Sequence, residues 1–175
     1  ERQAPYAGLA RRNAERNAIA LQVVEADLAA LPAALRSESF DHALANPPYL
    51  RAGGGTSAHD AGKEVAFREE TPLSLWIDIC LKRLRPGGWL TMIHLAERLD
   101  DILADLRGRA GSIAILPVAS RHGRPATRVL IRARKVDRGP LTLLSPLVLH
   151  EVEKHLQDGD DYSPSARSVL RNGAA

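Results

Sequence analysis

Apolar positions change their spacing several times along this chain, and each change marks an element. Residues 6 to 18, YAGLARRNAERNA, have the composition of a helix, and LQVVEADL from Leu21 follows as a short β-branched run. FDHALANPP reads as a buried strand. Farther on, TPLSLWIDICLKRL spaces Leu73, Leu75, Trp76, Ile79, Cys80 and Leu84 along one apolar helical face, with Thr71 as N-cap and Pro72 at the first helical position. RPGG ends that helix. WLTMIHL (89 to 95) is a further strand, ERLDDILADLRGRA a helix, SIAILPVA (112 to 119) a strand and ATRVLIRARK (126 to 135) another.

Helix and strand alternate through most of this order, which predicts an α/β fold with an open, mainly parallel sheet. The last two strands break the alternation. Their link, SRHGRP, is too short for a crossover, so they are expected to form an antiparallel hairpin. LTLLSPLVLHE and YSPSARSVLRNG then form an extension, residues 141 to 175, packed on a single domain spanning 1 to 175.

The 175 residues, 45% of them hydrophobic and 26% charged, suit one globular domain with its own core. No apolar run approaches the roughly 18 residues of a membrane span, and the charged start ERQAPYAGLARRN is unlike a secretory leader. A cytoplasmic protein that does not contact membranes is expected. The one cysteine, Cys80, excludes an internal disulfide and a multi-cysteine zinc site, and its apolar neighbours mark an inert core thiol. Of the histidines, His42 is expected in the core and His94 at a strand end near the cleft. His59, His122, His150 and His155 lack metal-ligand spacing, so no metal site and no catalytic histidine is assigned.

The net charge of +3 hides an uneven distribution. Arg121, Arg124, Arg128, Arg132, Arg134, Lys135 and Arg138 have only Asp137 as a local acid. This is either a solvated strand and loop or a phosphate-binding surface, since a guanidinium fork suits phosphate oxygens, and for each arginine an internal carboxylate partner is the alternative to a phosphate contact. On strand 126 to 135, alternation puts Val129, Ile131 and Ala133 on one face and Arg128, Leu130, Arg132 and Arg134 on the other. Arg121 and Arg124 lie at one end of the hairpin, and Arg51 lies elsewhere in the chain.

The most informative stretch is ALANPPYLRAGGG, 43 to 55. Two prolines cannot donate to a strand ladder, so the strand ends at Asn46. Ligands of open α/β sheets bind at such carboxyl ends. The Asn46 side-chain oxygen and the Pro47 carbonyl are then two acceptors suited to a planar NH2 group, with Pro48 stiffening the corner. A conjugated amine is a poor nucleophile. Acceptors that bind its hydrogens better in a pyramidal arrangement than in a planar one stabilise the transition state selectively. Tyr49 can stack on the ring that carries the amine. The glycine-rich 52 to 62 is expected to be mobile without substrate and to close over the bound base.

These residues resemble the class I S-adenosylmethionine-dependent methyltransferases that modify amino groups, whose signature is Asp, Asn or Ser, then Pro-Pro, then Tyr, Phe or Trp. DHALANPPYL, LRPGGWLTMIHLAERL, RHGRPATRVLIRARK and DYSPSARSVLRNG are similar to the bacterial tRNA1(Val) adenine-N6 methyltransferases over nearly the whole chain. The resemblance implies a Rossmann-like sheet, S-adenosylmethionine as cofactor, and methyl transfer to an exocyclic amine, adenine N6 of a tRNA. It implies that Asn46, Pro47, Pro48 and Tyr49 hold the target amine, that Glu1 binds the cofactor's ribose, that Asp27 with Leu28 binds its adenine, and that Asn46 also belongs to the cofactor-binding residues. For Asp27 a turn cap is the competing role. Arg51, Arg121, Arg124 and Arg128 are the expected RNA contacts.

The family's glycine-rich cofactor loop and first strand belong upstream of Glu1, so the chain is expected to be a fragment of a longer protein, with the centre of its sheet missing. Two other functions use the same residues: methylation of a protein glutamine amide, and RNA binding by an inactive remnant.

Overall fold

The computed structural model of the protein describes residues 1–51, 68, 69, 71–151 and 161–172. Their contacts divide the chain into two compact units, Glu1–Ser39 and Phe40–Ala175.

In the first unit, α1 (Ala4–Arg16) has a proline at its start, where a missing N–H costs nothing. A 3-10 turn (Leu28–Ala30) and the short α2 (Ala33–Ser37) follow. LQVVEADL is not a regular strand, but it is paired once. The Glu1 amino group donates to the Val24 carbonyl at 3.1 Å, and the Ala26 N–H donates to the Glu1 carbonyl at 2.9 Å. That is the bonding of one parallel rung.

The second unit is built on a mixed sheet. Its strands are β1 (Phe40–Ala45), β4 (Leu84–Leu95), β5 (Ala110–Arg121), β6 (Arg128–Lys135) and β7 (Thr142–Leu143), in the order β1-β4-β6-β5-β7, with β8 (Leu147–His150) also on β5. β1 and β4 are parallel, and β6 is antiparallel to both β4 and β5. The β5–β6 pair is therefore the antiparallel hairpin that the short SRHGRP link dictates. The 141 to 175 segment adds β7 and β8, both parallel to β5, and α5 (Pro164–Asn172). A separate two-residue pair, β2 (Leu50–Arg51) with β3 (Arg68–Glu69), completes the strands among the described residues.

One face of the sheet carries the core. Leu90 and Met92 of β4, Ile115 of β5, and Val129, Ile131 and Ala133 of β6 pack with Leu73, Ile77 and Leu81 of α3 (Leu73–Arg83) and with Ile102 and Leu106 of α4 (Leu99–Leu106). Each fully buried Leu or Ile contributes about 1.5–3 kcal/mol through apolar area removed from water. Asp100 and Asp101 occupy the first turn of α4, where negative charge opposes the positive end of the helix dipole.

Three expectations need correction. Helix α3 begins at Leu73, Thr71 does not cap it, and Pro72 takes the N-cap position, its carbonyl accepting from Leu75 N–H at 2.9 Å. Its most buried stripe is Leu73, Ile77, Leu81, with Trp76 and Cys80 partly covered, because a helix apolar on most sides does not reveal from sequence which side faces the sheet. Finally, β1 is less covered than its apolar run predicts: only Ala45 is buried, Leu44 is 83% exposed, and His42 is exposed and outside the core. Among the described residues β1 pairs with β4 alone, and a strand with one neighbour has fewer packing partners.

Candidate active site

Chain chemistry ends β1 where the sequence requires. Ala45, its last residue, pairs with Met92, and the chain leaves the ladder at Asn46 because Pro47 and Pro48 have no N–H to offer. Asn46 is exposed, Pro47 buried, Pro48 and Tyr49 half-buried. The corner folds back on itself: the Tyr49 hydroxyl donates to Asn46 Oδ1 at 2.8 Å. A carboxamide oxygen has two lone pairs, so one remains for a second donor.

Two further side chains converge on Tyr49. His94, 0% exposed near the end of β4, meets the tyrosine ring edge-on, with centroids 5.4 Å apart and planes at 79°. Its Nδ1 accepts from the Leu95 N–H at 2.9 Å, so a neutral ring carries its proton on Nε2. Arg128, the first residue of β6, places its guanidinium carbon 5.7 Å from the Tyr49 centroid, within cation–π range. Asn46, Tyr49, His94 and Arg128 thus form one cluster at the carboxyl ends of the parallel pair β1 and β4.

His94 was not assigned a role from the sequence. The available signal was its phase: with Leu90 and Met92 it falls on the core face of β4, and a polar ring there needs hydrogen bonds.

In the other unit, Glu1 is exposed and its Oε1 accepts from the Gln3 N–H at 2.8 Å. Asp27 does cap a turn: its Oδ1 accepts from the Ala29 N–H at 2.8 Å, and its Oδ2 lies 3.6 Å from an Arg2 nitrogen. Leu28 opens the 3-10 turn. Glu1 and Asp27 are brought near one another by the rung between Glu1 and residues 24 and 26.

The arginines divide. Arg121 is 16% exposed and 3.5 Å from Asp161, whose other oxygen lies 2.6 Å from His150 Nδ1. It has the internal carboxylate partner that was the alternative to a phosphate contact. Arg124 is exposed in the hairpin turn, and Arg128 lies at Tyr49. Arg51 starts from β2, but its side chain, like residues 52 to 62, lies outside the described residues. Arg132 and Arg134 flank the Trp89 ring, 4.0 and 5.8 Å from its centroid, and Arg134 also donates to the Gly87 carbonyl at 3.1 Å. Val129, Ile131 and Ala133 are buried and the arginines of that strand exposed, as its alternation predicts.

Burial pushes the Cys80 thiol up to about 11, in keeping with an inert thiol. Among the described residues no group of three His, Cys, Asp or Glu side chains is arranged to hold a metal, and no helix is long and apolar enough to cross a membrane.

No family model and no curated protein matches the chain. Solved structures do. A predicted O-methyltransferase from Agrobacterium tumefaciens is 28% identical, with a TM-score of 0.74 over all of this chain and 76% of that one. A Listeria monocytogenes protein described as a candidate class I S-adenosylmethionine-dependent methyltransferase is 16% identical, with a TM-score of 0.56 over 97% of this chain. This chain spans about half of that protein, 51%. The fold is therefore the Rossmann-like α/β fold of class I methyltransferases.

Proposed function

We propose that this protein transfers a methyl group from S-adenosylmethionine to an exocyclic amine, adenine N6 in an RNA and specifically a tRNA. Structural likeness to methyltransferases supports the general reaction. The carrying observation for an amine is the acceptor oxygen of Asn46, tethered by Tyr49 at 2.8 Å where β1 ends.

The residues present fit the cofactor by their chemistry. Glu1 keeps an exposed carboxylate, which suits a ribose diol, and Asp27 with Leu28 would hold the adenine. When bound, S-adenosylmethionine supplies a methyl group on a positively charged sulfur. Asn46 Oδ1 and the Pro47 carbonyl would accept the amine's two hydrogens, drawing its lone pair out of conjugation as nitrogen becomes pyramidal. Tyr49 would stack on the base. Arg128 beside Tyr49 and the exposed Arg124 favour a polyanionic substrate over a glutamine side chain.

The test is transfer of labelled methyl to unmodified tRNA, followed by nucleoside analysis. N6-methyladenosine is the expected product. Label on a protein glutamine would replace the substrate, and salt-dependent RNA binding without transfer would mark an inactive remnant.

A further inference from the structure

We infer that His94 is a positioning residue for the target-amine site, acting on Asn46 through Tyr49; this rests on the amine-methylation reading above. The chain of contacts is continuous. The Leu95 N–H bonds His94 Nδ1 at 2.9 Å and so fixes the plane of a ring that is already fully buried. That ring meets Tyr49 edge-on at 5.4 Å and 79°. Arg128 holds the same tyrosine ring from 5.7 Å, and the tyrosine hydroxyl reaches Asn46 Oδ1 at 2.8 Å.

Each link removes a freedom that the acceptor must not have. Rotation of an asparagine amide by half a turn exchanges its oxygen for an NH2 group, which would offer donors to an amine that needs acceptors. The Tyr49 hydroxyl donates to Asn46 Oδ1 and holds the amide at the strand end with its oxygen in place; since a hydroxyl can also accept, what the bond fixes is the position of the amide. It can do so only while the tyrosine ring stays in place, and among the described residues His94 and Arg128 both meet that ring. Both belong to sheet strands, but His94 is the buried one: it lies on the core face of β4, beyond Leu90 and Met92, where alternation would otherwise place an aliphatic residue, whereas Arg128 is exposed at the start of β6. An aliphatic residue fills volume without the edge-to-face preference that sets the angle of a neighbouring ring.

The test is a double-mutant cycle in methyl transfer, with KM, cofactor affinity and melting temperature measured alongside. Tyr49→Phe removes the hydroxyl bond but keeps the ring. His94→Leu keeps the bulk but removes the aromatic edge, and His94→Phe restores the edge. Tyr49→Phe and His94→Leu should each lower kcat by about 5- to 10-fold, the worth of one oriented hydrogen bond, with KM for RNA and cofactor affinity nearly unchanged. The pair together should lose no more than the worse single variant, because both act on one link. His94→Phe should recover most of the lost kcat.

Additive losses, or wild-type kcat in His94→Leu, would overturn the inference. If His94→Leu does not fold, the decision passes to His94→Phe: near-normal kcat supports the inference, and a loss as large as that of Tyr49→Phe overturns it. A wild-type protein that methylates no amine refutes the underlying reading and this inference with it, an outcome distinct from an active wild type whose cycle is additive.

Discussion

Arg128 and Tyr49 stand against one another, guanidinium carbon 5.7 Å from ring centroid, although 79 positions of sequence separate them. The contact joins the start of β6 to the corner that ends β1, and so joins the basic segment to the acceptor amide. It also separates Arg128 from Arg121, which turns inward to Asp161.

That division predicts a split among arginine variants. Replacing Arg124 and Arg128 together with Gln should weaken RNA binding and reduce the slope of log affinity against log salt by about two, one unit per lost phosphate contact. Arg121→Gln should leave the slope unchanged and lower the melting temperature, since it leaves Asp161 without one of its partners. A salt-series titration of all three proteins decides it, and an unchanged slope in the double variant would place the RNA elsewhere.

Asn46→Ala should lower the methylation rate by about 10²-fold, the usual cost of one positioned polar group that stabilises a transition state. Cofactor affinity should fall much less. Wild-type turnover in this variant would remove Asn46 from the chemistry.

Asp78 predicts acid sensitivity. The hydrogen bond from Lys82 at 2.7 Å, and then that from Arg109 at 2.8 Å, outweigh burial and hold its carboxyl below the ordinary 3.8. A carboxylate lowered on folding stabilises the protein above its unfolded pKa, and the gain is lost as pH falls through the folded pKa. With a 28% exposed side chain, Asp78→Asn should cost about 0.5–1 kcal/mol at pH 7, and the difference should shrink as pH falls below about 4. Urea midpoints of both proteins at pH 7 and pH 3 measure it.

Two glycines should respond oppositely to alanine. At Gly111 a Cβ would clash with the Asp137 carbonyl and come within 2.8 Å of Arg138 N, both backbone, so Gly111→Ala should destabilise by about 1–3 kcal/mol. At Gly8, inside α1, the nearest atom to a Cβ is an Arg12 guanidinium nitrogen 3.8 Å away, and Gly8→Ala should stabilise by about 0.5–1 kcal/mol. Thermal unfolding of the two variants, side by side, checks both signs.

The sequence by itself determined what depends on local chemistry. Two consecutive prolines end β1 at Ala45, the short 120 to 125 link makes β5 and β6 antiparallel, and period-two alternation buries Val129, Ile131 and Ala133 while exposing Arg128, Arg132 and Arg134. Only tertiary structure decided the rest. Which stripe of α3 faces the sheet, how little of β1 is covered, that Arg121 meets Asp161, and that His94 and Arg128 close on Tyr49 all depend on residues tens of positions apart. The physical reason is that such contacts are set by strand order and register: β6 inserts between β4 and β5, bringing Arg128 opposite Leu95, one residue past His94, and no periodicity within a single segment encodes that pairing.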